Sequence, residues 1–236
     1  MSAKAIAQKT HPMPFVRIEL AVLSVRANKL HVLLGRRAEP PHKGSMALPG
    51  GVLRIDLDAS LDAACQRVAQ ERLGVALPGA RQLMATGGPS RDPRTPWALS
   101  VVYRCMTMAD ELKVQPGKRL AELQWADADQ ASSESLAFDH DSLVASAVSA
   151  IRAEVDALNF PAGLTTEKFT LADLQSVSEV VLGRPLDKSS FRRRLESAGV
   201  LEALEGELRT GPFRPAQLYR LGHAHLASVQ PRRSLV

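Results

Sequence analysis

The feature that most constrains the fold is a Pro-Gly-Gly turn followed by a capped helix, within residues Leu48–Val75. Ser60 is a typical N-cap residue and Gly74 a typical C-terminal stop, so the pattern predicts a helix over Leu61–Leu73. Apolar residues recur along this helix at a spacing of three and four, which places them on one side. The segment therefore predicts a tight turn that leads into a helix packed on a sheet.

Strands and a second helix surround this segment. Alternating or continuous apolar runs between turn residues predict strands at Phe15–Val25, Lys29–Gly35, Arg81–Thr86, Ala98–Met106 and Glu122–Trp125. The amphipathic pattern over Asp141–Leu158 predicts a long helix, and Asn159–Gly163 is a cluster of helix breakers. We therefore expect an α/β domain over residues 1–159 and a second domain over residues 160–236.

The second domain has the outline of a winged helix-turn-helix. Thr170 can cap a helix over Leu171–Leu182, and Asp187 can cap another over Lys188–Ala198. Two β segments follow, at Leu201–Leu208 and Pro212–Leu221. Helix, short turn, helix and β-hairpin is the order of elements in that DNA-binding motif.

The second of these helices is basic. Residues 161–236 carry 11 Lys and Arg against 8 Asp and Glu, and thus +3 of the net charge of +5. The predicted DNA contacts are Lys188, Ser189, Ser190, Arg192, Arg193, Arg194, Arg209 and Arg214. Successive residues point about 100° apart, so we expect at least one of the three consecutive arginines to contact phosphates or to pair within the protein. Arg194 is the first candidate. Alternatively, the arginine run is a solvated helix face.

The Leu48–Val75 segment resembles the Nudix box, G-x5-E-x7-R-E-U-x-E-E-x-G-U. Arg67, Glu71 and the Gly-Val ending match that motif, while Val68 and Arg72 stand where the family has glutamates. Seven residues instead of five separate Gly51 from the position of the first glutamate. In the family this helix face supplies carboxylates to Mg²⁺. A guanidinium there repels a divalent cation and attracts a diphosphate.

The whole chain resembles the Nudix-related transcriptional regulators of NAD metabolism. The segments that carry this resemblance, besides the box and the arginine run, are Arg36–Arg37, Leu48–Gly51, Ser90–Arg94, Phe138–His140, Leu182–Asp187 and Arg214–Arg220. The resemblance implies an α/β (α+β) fold, with a Nudix α/β/α sandwich followed by a winged helix. It also implies a homodimer on a palindromic DNA operator, repression of NAD biosynthesis or salvage genes, and a response to ADP-ribose or a related nucleotide.

A degenerate box predicts binding of a nucleotide without its cleavage. The candidate ligand contacts are Arg36, Arg37, Arg72, Arg91, Asp92 and Arg94. We assign no catalytic residue and no required cofactor, and Mg²⁺ would act only if hydrolysis persists, with Glu71 as its ligand. We expect Trp97 and Trp125 to pack within the fold, with Trp97 the better candidate of the two for stacking on a base. Asp139 with His140 is expected to fix a helix start.

Two other functions fit the sequence. A working pyrophosphatase could recruit Asp56, Asp58 or Asp62 beside Glu71, because the expanded segment before the helix contains the first two. The second domain could instead bind another protein.

The composition indicates the cellular compartment in which the chain is expected. Cys65 and Cys105 lie in apolar surroundings without metal or disulfide spacing, which predicts buried thiols in a reducing compartment. Since neither a signal-peptide pattern nor a long apolar run is visible, we expect a cytoplasmic protein that does not enter a membrane.

Overall fold

The computed structural model describes residues 14–108, 111–211 and 215–222. Within these residues a seven-stranded sheet consists of β1 (Phe15–Arg26), β2 (Lys29–Arg37), β3 (Met46–Ala47), β4 (Gly50–Val52), β5 (Arg81–Gly88), β6 (Ala98–Thr107) and β7 (Leu120–Asp127). The main strand order is β3-β2-β1-β6-β5, with β4 paired to β1 and β7 paired to β2. β1 and β6 run parallel, whereas the other strand pairs of this sheet are antiparallel.

The helices are α1 (Leu61–Leu73), α2 (Ala128–Ala131), α3 (His140–Asp156), α4 (Leu171–Leu182) and α5 (Lys188–Ala198). The predicted bounds of α1, α4 and α5 are confirmed, because each helix is preceded by an N-cap residue whose side chain accepts a hydrogen bond from a backbone N–H group. Each of the three ends at a glycine with positive φ, which closes the helix in the left-handed conformation. α3 begins one residue before its predicted start and ends two residues before its predicted end.

Both faces of β1 are buried, and alternate side chains of the strand enter different hydrophobic clusters. Ile18 and Leu20 pack in one cluster with the buried side of α1. Ala21 and Leu23 pack in the other with α3. Since neighbouring residues of a strand point to opposite faces, the two helices cover opposite sides of the sheet. The predicted α/β/α sandwich is confirmed.

The winged helix consists of α4, α5 and an antiparallel hairpin of β8 (Leu201–Arg209) and β9 (Ala216–Leu221). β9 begins later than predicted, at Ala216, and part of the predicted segment, residues 212–214, lies outside the described residues. Phe191 and Leu195 of α5 are buried, whereas Ala198, which the spacing places with them, is exposed. Those two side chains belong to the same hydrophobic cluster as α3, so the core continues from one domain into the other.

Both cysteine thiols are buried, as predicted, and burial raises the pKa of Cys105 to about 11. In the part of the chain that the structure describes, every helix is too short or too polar to cross a membrane.

Candidate functional site

Five arginine side chains line a cleft beside the Pro-Gly-Gly turn, and we call it the arginine cleft. Its arginines are Arg17, Arg37, Arg72, Arg94 and Arg119. They come from β1, β2, α1 and two loops, so residues far apart in sequence meet only through the fold of the sheet. The backbone of Gly50 and the side chains of Leu48 and Leu120 form the floor between them.

A buried ion pair holds the innermost arginine. Nε of Arg17 donates to Oε1 of Glu19 over 2.6 Å, and both side chains are nearly inaccessible to solvent. The Glu19 carboxylate lies directly against Gly50, where an added Cβ would come within 1.8 Å of Oε2. The ring of His140 closes the other side, with Nε2 3.8 Å from Oε1 of Glu19. The turn therefore needs glycine at position 50 to make room for the carboxylate that positions Arg17.

Arg72 fastens the end of α1 to the turn. Its Nε donates to the carbonyl oxygen of Gly50 over 2.8 Å, and its Nη1 donates to that of Lys118 over 2.8 Å. Burial lowers the pKa of Arg72 against the attraction of Glu71, and the neighbouring Arg119 lowers it further. A buried guanidinium is thus held by neutral carbonyl groups on the helix face where the Nudix motif has a glutamate.

Arg37 and Arg94 form the outer wall. Nε of Arg37 donates to the carbonyl oxygen of Pro41 over 2.6 Å. Burial lowers the pKa of Arg37, and the positive charges of Arg17 and Arg94 lower it further. Arg94 binds the buried Asp92 with Nε at 2.8 Å from Oδ1. These arginines repel one another, so an anion placed between them relieves that repulsion.

The charges of the cleft favour a polyanion. Within the described residues the ion-paired carboxylates of these arginines are Glu19, Asp92 and Glu39, three acids against five guanidiniums. Arg37 and Arg72 donate to backbone carbonyl groups instead. An excess of two positive charges in a partly buried cleft matches a dianionic diphosphate, which guanidinium groups bind with paired, charge-assisted hydrogen bonds.

Not all predicted ligand contacts enter the cleft. Arg36 turns away from it and pairs with Glu122 over 2.7 Å. Arg91 and Asp92 line an adjoining depression, where Arg91 binds Asp139 through two hydrogen bonds of 2.6 and 2.7 Å. Asp139 precedes α3 as expected, but it makes no side-chain capping bond to that helix. The structure brings together Arg37, Arg72 and Arg94, and the ligand roles of all six residues stay predictions.

The acidic residues around α1 do not fit a magnesium ion. Asp58 binds Arg67 with oxygen–nitrogen distances of 2.6 and 2.7 Å, and Asp62 accepts a hydrogen bond from the Tyr103 hydroxyl. Asp56 pairs with Arg54, and Glu71 lies 3.4 Å from Arg67. Among residues 14–108, 111–211 and 215–222, no three acidic, histidine or cysteine side chains are grouped as a metal would require.

The basic surface of the second domain lies on α5. Lys188, Ser189, Arg192 and Arg193 are exposed on it, and Ser190 is half-buried. Arg192 forms an ion pair with Glu196 one helical turn further, with Nε 2.8 Å from Oε1. Such exposed pairs hold a side chain weakly, so DNA phosphates can displace the glutamate.

The remaining predicted DNA contacts are placed differently. A guanidinium nitrogen of Arg194 donates to the backbone oxygen of Asp156, which confirms the prediction that this arginine pairs within the protein. Arg209 pairs with Asp173 near the start of α4, at 2.7 Å. Arg214 lies outside the described residues.

Comparison with protein families identifies a known domain in each part of the chain. The model described as the NUDIX domain matches residues 17–147, and the NrtR DNA-binding winged helix domain matches residues 161–221. The chain belongs to the NrtR family. A curated relative, the "ADPR responsive transcriptional repressor NtrR" of Acinetobacter baylyi, is 34% identical over 212 residues, which are 89% of this chain and 83% of the relative.

Solved structures of the NrtR family have the same architecture. Shewanella oneidensis NrtR complexed with a 27mer DNA superimposes with a TM-score of 0.75 at 30% identity, covering 90% of this chain and 95% of that one. The Nudix domain of the same protein complexed with ADP ribose gives a TM-score of 0.55 at 26% identity, covering 59% and 90%. This chain therefore has the domain arrangement of an NrtR protein.

No recognised sequence motif includes Arg17, Glu19 or Arg119. Arg119 lies in a loop without a recognisable pattern and adopts a positive φ of 65°. Arg17 and Glu19 did leave a signal, because they are two residues apart in a strand that is otherwise almost entirely apolar. Two charges of opposite sign on the same face of a buried strand indicate that the two side chains form an ion pair in the interior.

Proposed function

We propose that this NrtR protein is a transcriptional repressor that binds DNA through α5 and responds to ADP-ribose bound in the arginine cleft. The observation that carries the proposal is the convergence of Arg17, Arg37, Arg72, Arg94 and Arg119 at the face of α1 where the Nudix motif has glutamates. A relative named as an ADPR responsive repressor supports it, as does a solved Nudix domain that holds ADP ribose.

Arg72 gives this cleft a way to bind a diphosphate without a metal. Its guanidinium occupies the helix face from which a Nudix hydrolase presents carboxylates, and it supplies a fixed positive charge there. Cleavage needs a metal to activate water and to polarise the phosphate oxygens. With a single, already paired carboxylate on this face, the chain binds the nucleotide and leaves it intact.

The second domain supplies DNA recognition. The first half of α5 exposes Lys188, Ser189, Arg192 and Arg193, which is the part of a recognition helix that usually enters the major groove. Arg209 is the last residue of β8 in the hairpin, where a flanking phosphate can replace Asp173 as its partner. We place the protein in the cytoplasm as a homodimer on a palindromic operator of NAD biosynthesis or salvage genes.

Fluorescence anisotropy tests this proposal. A labelled duplex, selected from a randomised library by the protein itself, is titrated with the wild-type chain with and without ADP-ribose. We expect binding that weakens steeply with salt and a DNA affinity that ADP-ribose changes by at least about fivefold, the lower range of allosteric coupling. Absence of DNA binding at low ionic strength, or an affinity indifferent to ADP-ribose, would contradict the proposal.

Arg193→Ala and Arg54→Ala form a matched pair for the DNA surface. Each removes one exposed arginine, but Arg193 lies on α5 and Arg54 precedes α1. Loss of a base or phosphate contact costs about 1–3 kcal/mol, so Arg193→Ala should weaken binding by about fivefold or more. Arg54→Ala should leave it within about twofold. Equal effects would mean that α5 does not contact the DNA.

A further inference from the structure

α3 extends from the arginine cleft to the winged helix. It has 17 residues and is therefore about 25 Å long at 1.5 Å per residue. Its first residue, His140, accepts a hydrogen bond from the backbone of Leu48 in the cleft floor through Nδ1, at 2.9 Å. Its last residue, Asp156, bonds to the second domain. A single helix thus contacts both surfaces that the proposed function requires.

The N-terminal end of α3 shares its contacts with the cleft arginines. Phe138 lies two residues before the helix in a left-handed conformation, with a φ of 62°. The guanidinium of Arg37 lies 4.9 Å from the centre of its ring, and that of Arg17 lies 5.7 Å from it. Asp139 holds Arg91 beside them. An anion in the cleft competes with this aromatic ring for the same guanidiniums, and charged hydrogen bonds are stronger than cation–π contacts.

The C-terminal end of α3 holds the recognition helix. The Asp156 carboxylate binds Arg184 in the turn between α4 and α5, and its backbone oxygen accepts a hydrogen bond from Arg194 of α5. One turn earlier, Nε of Arg152 donates to the backbone oxygen of Val181 at the end of α4, at 2.9 Å. We call the bonds of Arg184 and Arg194 to Asp156 the α3–α5 joint.

The middle of α3 is suited to transmit a displacement. Its buried residues are Leu143, Val144, Ala147, Val148, Ile151 and Val155. They belong to the cluster that also contains Leu174 of α4 and Phe191 of α5. Packed interiors have low compressibility, so a helix embedded in one moves as a body and does not absorb a shift at one end.

We infer that α3 carries the state of the arginine cleft to the DNA-binding helix, with Phe138 as its contact to the effector-binding arginines and the α3–α5 joint as its output. This inference rests on the proposed function, since it assumes an effector in the cleft and DNA on α5. The effector draws Arg37 from the Phe138 ring, α3 shifts, and the joint changes the position of α5. The ligand thereby makes different contacts in the two states, which is the condition for allosteric coupling.

The bonds of the α3–α5 joint can be removed by substitutions that lie outside the arginine cleft. In the double variant Arg184→Ala/Arg194→Ala, both bonds to Asp156 are lost. The matched control is Arg192→Ala/Arg193→Ala, which removes the same charge from the same region but leaves the joint intact. DNA affinity is measured for each with and without ADP-ribose, and ADP-ribose affinity is measured by calorimetry without DNA.

We expect the joint variant to bind ADP-ribose within about threefold of wild type, while the effect of ADP-ribose on its DNA affinity falls to less than about twofold. The control should bind DNA more weakly in both states, with the ratio between them unchanged. A wild-type ratio that survives in the joint variant would overturn the inference and leave the proposed function standing. A wild-type chain whose DNA affinity ignores ADP-ribose would overturn both.

Hydrogen exchange on the unmodified chain gives a readout that does not depend on the variants folding. ADP-ribose should change amide protection at the start of α3 and in α5 together. A change at the cleft with α5 unaffected, in a protein whose DNA affinity still responds, would show that the signal travels by another route.

Discussion

At the scale of single residues, the site is defined by guanidiniums held in place by carbonyl groups and buried acids. Arg72 binds the backbone of Gly50 and Lys118, and Arg17 is held by Glu19. Fixing these side chains before the ligand arrives removes part of the entropy cost of binding. The cleft therefore gains affinity from orientation as well as from charge.

Arg72→Ala should weaken ADP-ribose binding by about 10–100-fold, because a hydrogen bond to a charged group contributes about 1.5–3 kcal/mol. Isothermal titration calorimetry measures this directly. Arg36→Ala is the control, since Arg36 of β2 is an arginine that pairs with Glu122 outside the cleft. Wild-type affinity in Arg72→Ala would exclude a role for this guanidinium in binding.

His140 makes stability depend on pH. Burial lowers its pKa, and Arg17 and Arg37 act in the same direction against Glu19 and Asp139. Below the ordinary pKa of about 6.5 the unfolded chain binds a proton that the folded chain does not, so stability falls as the pH falls, by up to about 1.4 kcal/mol per pH unit.

His140→Asn removes this titration and keeps an acceptor near the position of Nδ1. The free energy of unfolding, measured by urea denaturation between pH 5 and pH 8, should fall more steeply with acid for wild type than for the variant. The carboxylates are common to both proteins and cancel in the difference. Parallel curves would mean that His140 titrates alike in both states.

At the scale of elements, the Pro-Gly-Gly turn and its neighbouring strand depend on each other. Gly50→Ala would place a methyl group 1.8 Å from Oε2 of Glu19 and 2.8 Å from the backbone oxygen of Ile18. Glu19 is fully buried and cannot swing into solvent. We expect a loss of about 1–3 kcal/mol in the free energy of unfolding, as for other overpacked sites, together with weaker ADP-ribose binding.

The control for this substitution is Gly88→Ala at the end of β5, where an added Cβ meets nothing within 4 Å. Its free energy of unfolding should stay within about 0.5 kcal/mol of wild type. If both variants unfold alike, close packing against Glu19 is not what requires glycine at position 50.

The elements that could be predicted from sequence are those with local end signals. The bounds of α1, α4 and α5 follow from a capping side chain and a glycine, which act within one turn of the helix. α2 was missed because it is a single turn, and Leu120 and Ala121 at the start of β7 because two residues are too few for a strand pattern. The strand extends over them because β7 pairs with β2, which lies about 90 residues earlier in the chain.

The site was predicted where it coincided with a motif. Arg72 stood out because it replaces an expected glutamate, and Arg37 and Arg94 belonged to segments that carry the family resemblance. Arg119 is brought to the cleft by the loop before β7, and nothing in its local sequence records that approach. Arg36 and Arg37 were both predicted as ligand contacts from one motif. Adjacent strand residues point to opposite sides, so they cannot both face the cleft.

At the scale of the whole molecule, the two domains share one hydrophobic cluster and one long helix. Inter-domain contacts of this kind resist independent motion, so a change at the cleft must be accommodated across both domains. An effector that binds only the folded state also stabilises the entire unit, by about 2.7 kcal/mol at a hundred times its Kd.

This stabilisation should not need a metal. ADP-ribose should raise the melting temperature equally in EDTA and in magnesium chloride, because arginines and not carboxylates line the cleft. Differential scanning fluorimetry measures both conditions, with adenosine as a control that lacks the diphosphate. A shift that appears only with magnesium would point to a metal-dependent site and to the pyrophosphatase alternative.

Val68 makes the loss of the hydrolase motif hard to reverse. Its side chain is completely buried beneath Gly51, where an added Cβ would lie 2.8 Å from Cγ2 of the valine. A glutamate at this position would enter an apolar layer before it could meet a metal, and an unpaired buried carboxylate costs several kcal/mol. Restoring the glutamate of the Nudix motif at position 68 would therefore require the apolar layer under the turn to repack as well.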